Sequence, residues 1–461
     1  MNLLTELKQA GRVFLIVLVY FALTRAAQAA NPPTTTVYPT GSFPLDVQNV
    51  QAAINSGGTV LLKATNAADQ PTAFNFGATG VDLTTDVIIL GETVGQNETT
   101  IQGGFAPIRG LVPVQSTIQS IDFEGPLDSP IILLASTGAD IIGNRIRGCI
   151  PTPICLPPCE ITEVEGMLVS PLNPQDITGR IRVANNDIEL SAGDFANGMQ
   201  FDEVSADIEV SGNTVHFVQS NGVIQTFGIL VFRSHGNVRV VNNSVTMGPG
   251  DPNAFPAGIF IGGHSDANYM ISGNTVITNH LNSDGIDIVG LSISGSTEHA
   301  IVEGNHISIH SLISTAGGIS LDGAVNNSVV SANQIEGTSG NALQIFGLGN
   351  TLIADSNQAV GNDISQLSAL NGDVFFGLFS TNNLVAGHCA TYIDLGVGNR
   401  ITCGRPIESP VAAKRTAIGP SRGFDVLGVD DIKRARLEIM VDGLTNKKGK
   451  LAYEDNKILS K

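Results

Sequence analysis

Asparagine-centred units recur along most of this chain, and a repeat of steady period constrains a fold more than any composition does. Each unit runs through alternating apolar residues to a small residue, then Asn, one further residue and an apolar one. Copies read Ile141-Ile142-Gly143-Asn144-Arg145-Ile146, Val183-Ala184-Asn185-Asn186-Asp187-Ile188 and Val210-Ser211-Gly212-Asn213-Thr214-Val215. Others centre on Asn243, Asn274, Asn305, Asn333 and, more loosely, Asn357, at steps of 27, 30, 31, 31, 28 and 24 residues from Asn186 onward. A second unit, Gly-apolar-x-apolar, starts at Gly166, Gly198, Gly228, Gly258, Gly285 and Gly318, with Ala342 in the same slot. From Gly198 onward the slot precedes the next repeat Asn by 15, 15, 16, 20, 15 and 15 residues. Two strand signals held in phase over six periods define a solenoid.

The expected fold is all-β, a right-handed parallel β-helix. Each period makes one coil of short strands, stacked about 4.8 Å above their counterparts. Alternation turns Val, Ile and Leu into the column. The repeat Asn is placed at a bend, in a left-handed backbone, with its amide bonded to its counterpart one coil away. The repeat Gly is expected to open the next strand where a bend leaves no room for a side chain. Insertions belong in the more variable Asn-to-Gly interval, for instance Thr246 to Phe255. With 52 Gly, no Trp and only 14% charged residues, the composition excludes a helical bundle.

Upstream, Phe74 to Gly77, Val87 to Gly91, Ile118 to Gly125 and Ile131 to Ser136 read as strands ending in turns. Asp46 to Asn55 carries Val47, Val50 and Ile54 at helical spacing, then Gly57-Gly58 and the strand Thr59 to Lys63. Such a helix serves as an N-terminal cap over the open column. Lys8, Arg12, the apolar run Val13 to Leu23 and Ala27-Gln28-Ala29 predict a signal peptide over residues 1–29. That run is shorter than the roughly 20 residues a membrane span needs, and no later stretch is long enough. The chain is thus expected to be exported, whether secreted, periplasmic or on the cell surface. Residues 30–406 form the β-helix domain, and 407–461 a linker with a basic, non-repeat C-terminal tail. Export permits disulfides, and Cys389 with Cys403 is the expected pair. The pairing of Cys149, Cys155 and Cys159, in a Pro-rich loop, stays open.

Charge narrows the partners. Residues 26–404 hold 33 acidic against 9 basic side chains, within a chain of net charge −18. An acidic body of this kind repels nucleic acid and anionic membrane surfaces.

The helix-Gly-Gly-strand entry at Asp46–Lys63 and the two coil motifs together resemble the pectin-lyase-like superfamily, over residues 40–404. The resemblance implies the β-helix fold and a polysaccharide or surface glycan as partner. Within that superfamily the role ranges over lyases, hydrolases, epimerases, phage tailspikes and non-catalytic adhesins. Asn282-Ser283-Asp284-Gly285-Ile286-Asp287 is similar to the Asn-Thr-Asp-Gly-Ile-Asp segment of polygalacturonases, whose aspartates activate water and protonate the leaving oxygen. The Asp-Asp, Gly-His-Gly and Arg-x-Lys that accompany it there are missing from the acidic body, and half the match is the repeat slot itself. The pectate-lyase Arg-x-Pro-x-x-Arg is missing too, and a Trp-containing signature cannot exist here.

Stacking the coils on the repeat Gly aligns Glu203 with Arg233 five residues on, with Asp202 at four, His264 at six, His235 at seven and Asp266 close by. Acid–base cleavage of a glycosidic bond calls for paired titratable groups of this sort, here within roughly two coil rises or about 10 Å. In that reading Asp202 or Glu203 is the acid or base, Arg233 neutralises a sugar carboxylate, and His235 or His264 relays the proton. The alternative is a solvated turn holding an ordinary ion pair. Gln200, Phe260 and Asp287 share one phase, expected to face outward as a polar groove with an exposed Phe. With Asp266 and Asp284 they complete the candidate substrate-binding set. Glu160, Glu163 and Glu165 permit Ca²⁺ but follow no known ligand spacing. The missing motifs favour a binding, structural or adhesive module, and a polysaccharide lyase or glycoside hydrolase is the other reading.

Overall fold

Valine and isoleucine at alternate positions turn one side of each strand apolar, and stacking such strands in register makes a column. In the computed structural model the chain is a parallel β-helix of about nine turns. Residues 33–406 are described except 105, 126–128, 149–162, 193–194, 221–224, 251–255, 264–266, 281–282, 291–296, 311–316, 338–340, 347–353, 367–373, 378, 389–390 and 403–404. The signal peptide, the C-terminal tail and all five cysteines, the Cys389–Cys403 pair included, lie outside the described residues. So do His264, Asp266 and Glu160. Among the described residues no helix is long and apolar enough to cross a membrane.

One coil has three faces. Phe195–Asp202 lies on the glycine face, Ile208–Ser211 on a face that leads into the repeat Asn, and Thr214–Ser220 on a face that leaves it. The next coil supplies Gln225–Phe232, Asn237–Val241 and Ser244–Met247, each parallel to its counterpart. The inward files are continuous: Val183, Val210, Val240 and Ile271 on one face, and Ile188, Val215, Val245, Val276, Ile307 and Ile335 on the next. These side chains are buried in one cluster that runs the length of the column. Each contributes about 1.5–3 kcal/mol by leaving water.

At the N-terminal end the helix Leu45–Asn55 sends Val50, Ala53 and Ile54 into that same cluster. Its first turn holds the fully buried Asp46. The carboxylate accepts hydrogen bonds from the Thr40 amide and hydroxyl (2.7 Å each) and from the Asn75 amide (2.8 Å), which satisfies a charge that would otherwise be costly to bury. An additional strand, Thr34–Val37, pairs with Gly58–Leu62.

The repeat asparagines form a buried ladder. The Asn213 side-chain nitrogen donates to Val183 O (3.0 Å) and Asn243 Oδ1 (2.9 Å), and its oxygen accepts from the Asn186 amide and Nδ2 (2.9 Å each). Every polar valence of the amide is used. The pattern repeats at Asn144, Asn186, Asn243, Asn274, Asn305 and Asn333.

Three details differ from the sequence reading. The left-handed residue is the one before the ladder Asn: Gly143, Asn185, Gly212, Asn242, Gly273, Gly304 and Ala332 have φ between 53° and 64°. The Asn itself turns inward, where its amide can reach both coils. Asn357 belongs to another file. The main ladder continues from Asn333 to Asn362, while Asn357 stacks between Ser328 and Asn383, and Asn383 bonds Asn399. Finally, the repeat Gly sits inside its strand rather than at its start. Alternation breaks there: Phe227 and Leu230 share an outer cluster, while Ile229 and Val231 join the core. The strand bends at Gly228, and a Cβ there would fall 2.3 Å from Val245 Cγ1 and 2.4 Å from Gly258 O.

Candidate functional site

The register places Gln200, Leu230, Phe260, Asp287 and Ser320 in one file on the outer side of the glycine face, as their shared phase predicts. The file is not the open polar groove expected of it. Phe260 is buried (4% exposed), as are Gln200, Asp284 and Asp287. The physical reason is a second apolar cluster on the outer side of this sheet, formed by Phe227, Leu230, Phe232, Ala257, Phe260 and Val289. The Phe227 and Phe260 rings meet at 4.7 Å between centroids, tilted by 35°. Polar side chains lie on either side of it. Toward the N-terminus, the Asn197 amide donates to Gln200 Oε1 (2.7 Å). Toward the C-terminus, Asp284 Oδ1 accepts from the Gly317 amide (2.6 Å).

At the corner where this face ends, the structure brings Glu203 and Arg233 together. Arg233 Nη2 lies 3.0 Å from Glu203 Oε1, with side chains only 17% and 24% exposed. The guanidinium also sits over the Phe232 ring, 4.6 Å from its centroid. Asp202 precedes Glu203 but points to the outer side of the sheet, where it is buried and accepts a long 3.4 Å hydrogen bond from Ser170 Oγ. His235 follows in the same corner, its backbone amide bonded to Val204 O (2.9 Å). Ser170 and Phe232 were missed in the sequence, although both occupy the same offset from the repeat Gly as Asp202.

The corner is strained. Glu203 has φ 53° and Arg233 φ 48°, a region that costs a residue with a Cβ about 1–2 kcal/mol. By register, the coils above carry Gly263, Gly290 and Gly323 at this position. Gly323 takes φ 71° without that cost. Two successive coils therefore hold charged residues in the left-handed backbone that Gly323 takes further along. Such outliers are a reason to look for function.

A separate cleft of about 370 Å³ lies near the N-terminal end, over Thr100–Gly103, Asp122–Glu124 and Arg145–Arg147. No sequence pattern pointed to it: Arg145 and Arg147 follow the repeat Asn144, but the coils that supply Gln102, Asp122 and Glu124 precede the clear repeat. Arg147 Nη2 donates to Asp122 Oδ2 and lies 3.2 Å from Glu124 Oε1, while Gln102 Nε2 donates to Glu124 Oε2 (3.1 Å). Burial pushes the Asp122 carboxyl above the usual carboxylate range. The Arg147 hydrogen bond and charge, and more weakly Arg145, pull it down, and Glu124 pushes it up.

A group whose folded pKa is raised adds stability below its unfolded pKa and loses it as pH rises through the folded value. In denaturant midpoints from about pH 3 to 7, wild type should therefore lose ground to Asp122→Asn as pH rises. Parallel curves for the two proteins would count against the assignment. Glu98 lines the same cleft and Glu189 is the register partner of Arg147, so the comparison rests on the difference between the two proteins.

Among the described residues no group of His, Cys, Asp and Glu is arranged to hold a metal ion. Glu163 lies on the strand Glu163–Glu165. Glu165 is buried and accepts from Ser129 Oγ (2.9 Å).

No family model matches this chain, and no curated protein matches it. Among solved structures, the Dettilon tailspike protein (gp208) is similar over 80% of this chain and 68% of its own, at 13% identity and a TM-score of 0.39. The A-module of the mannuronan C-5 epimerase AlgE6 from Azotobacter vinelandii is similar over 79% and 92%, at 14% identity and a TM-score of 0.30. Likeness at this level carries no argument about activity.

Proposed function

We propose that this protein is an exported β-helix that binds a polysaccharide or surface glycan along its flank without cleaving it, with the Glu203–Arg233 corner as the contact. The observation that carries the reading is the strained ion pair itself. Two coils keep large charged residues in left-handed backbone at a position where Gly323 serves further along the column, and the strain has a use if the pair presents fixed donors and acceptors to a ligand. Paired acid and guanidinium groups suit vicinal sugar hydroxyls, which both donate and accept. Support also comes from the coil motifs, which resemble a superfamily rich in polysaccharide partners. The acidic body disfavours nucleic acid and, unless Ca²⁺ bridges them, polyuronates.

A second reading, hydrolase or lyase, draws on one observation: Asp202 and Glu203 are consecutive carboxylates in unlike surroundings, the first buried and the second at the corner. In it, His235 or His264 relays the proton, His264 lying outside the described residues.

The test passes the secreted chain over immobilised neutral and acidic polysaccharides, with and without Ca²⁺, and assays the eluate for reducing or unsaturated ends. Binding predicts retention on a glycan without product, with retention reduced at least about tenfold in Arg233→Ala. Product that disappears in Glu203→Gln would transfer the case to the enzyme. Retention unchanged in both variants would remove the corner from either reading.

A further inference from the structure

The cleft beside Asp122 has a feature that an ordinary surface ion pair lacks. The Asp122 side chain is only 6% exposed and lines the cleft. Its Oδ1 is buried with no hydrogen-bond partner among the described residues, and the same holds for Arg147 Nε. One is an acceptor and the other a donor, on side chains already joined through their other atoms. Leaving both unmet costs about 1–3 kcal/mol each. A hydroxyl group can accept from one and donate to the other, which neither a carboxylate nor an ammonium can do.

The lining fits a polyhydroxylated ligand. Thr72, Gln96, Asn97, Thr100 and Gln102 ring the charged residues, and no aromatic side chain contributes. Recognition there is by hydrogen bonds rather than stacking. The volume falls within the range of small-molecule pockets, about 300–1,000 Å³. The charges select further: Glu98, Asp122 and Glu124 outnumber Arg145 and Arg147, and Arg147 is already shared by two carboxylates. An acidic sugar meets net negative charge, and the one cation not held by the cleft's own carboxylates, Arg145, lies 4.0 Å from Asp187. Glu124 and the exposed Gln102 line the cleft beside the buried pair, so a ligand reaches the two unmet atoms by displacing these two side chains.

We propose that this cleft is a second carbohydrate site, distinct from the Glu203–Arg233 corner, which takes a neutral sugar unit through Asp122 and Arg147. The inference shares the carbohydrate reading but not the corner.

The experiment titrates the full chain with neutral hexose oligosaccharides and, separately, with uronic acid oligosaccharides, by calorimetry and saturation-transfer NMR. The expected result is binding of the neutral series only, weakened at least tenfold in Asp122→Asn and abolished in Gln102→Trp, which fills the cleft from its exposed rim and does not depend on the buried pair for folding. Glu336→Gln, in an exposed pair with His306 several coils along the column, should leave this binding unchanged. Neutral sugars that fail to bind, a preference for uronic acids, or affinity indifferent to Gln102→Trp would each overturn the proposal. Loss of binding in Glu203→Gln but not in Gln102→Trp would assign the sugar to the corner alone, and the reverse would leave the cleft standing without the corner.

Discussion

Replacing Gly228 by Ala is expected to destabilise the protein by at least ~3 kcal/mol, or to abolish soluble expression. A single methyl group does this because of where it would land. It would lie 2.3 Å from Val245 Cγ1 and 2.4 Å from the Gly258 carbonyl oxygen. The valine can rotate; the carbonyl belongs to the next coil's backbone and can move only if that strand shifts. Gly198, Gly258, Gly285 and Gly318 meet the same pair of obstacles, an inward Val or Ile methyl and the next glycine slot's carbonyl. Gly143→Ala is the control. Its φ is 61°, with nothing within 4 Å of the added Cβ, so it should lose only the cost of a left-handed alanine, about 1–2 kcal/mol. Denaturant midpoints of the two variants separate collision from strain. Equal losses would mean that the slot is selected for backbone freedom and not for space.

Asn213→Ala should cost about 3–5 kcal/mol, more than removal of a surface amide ever does. The side chain makes four hydrogen bonds to two other coils. Without it, the Asn186 amide and the Val183 carbonyl are orphaned in the core, and the ladder is interrupted between Asn186 and Asn243. Each unmet buried group contributes about 1–3 kcal/mol to the loss. Asn213→Asp tests the chemistry separately from the volume. A carboxylate keeps the acceptor for Asn186 but has no donor for Val183 O or Asn243 Oδ1, so it should be at least as damaging near neutral pH. The comparison residue is Asn237, an exposed amide bonded to Asp207 Oδ1 (2.9 Å), where Ala should change stability by less than about 1 kcal/mol. If Asn213→Ala matched Asn237→Ala, the ladder would be ornament on a column held by apolar packing alone.

Much of this architecture was legible because it is periodic. The strands Phe74–Gly77 and Val87–Gly91 and the helix ending at Asn55 match the residue patterns that announced them. The alignment of Glu203 with Arg233 followed from counting five residues past each repeat Gly. What was misread depended on features the repeat conceals. Asn357 looked like a ladder residue because Asn is common at both corners. The short 24-residue step was the warning, and Asn362, 29 residues after Asn333, restores the period. Phe260 was expected in solvent because alternation says only which side of a strand a residue takes, not what covers that side. The Asp122 cleft was invisible for a different reason. Arg147 follows the repeat Asn144, but the two coils before it have no repeat unit to stack, so nothing in the sequence places Gln102, Glu124 and Arg147 side by side.

Both proposed sites depend on residues one coil apart being neighbours. The register pairs Glu209 with Arg239 on adjacent parallel strands, both side chains facing out. Asn237, two residues earlier on the same side, is offset by about 8 Å between Cα atoms, beyond disulfide reach. Mild oxidation of Glu209→Cys/Arg239→Cys, read by peptide mass spectrometry, should give an intramolecular crosslink, and Glu209→Cys/Asn237→Cys should not. Crosslinking of the second pair in place of the first would contradict the coil register, and with it the neighbours on which binding is argued.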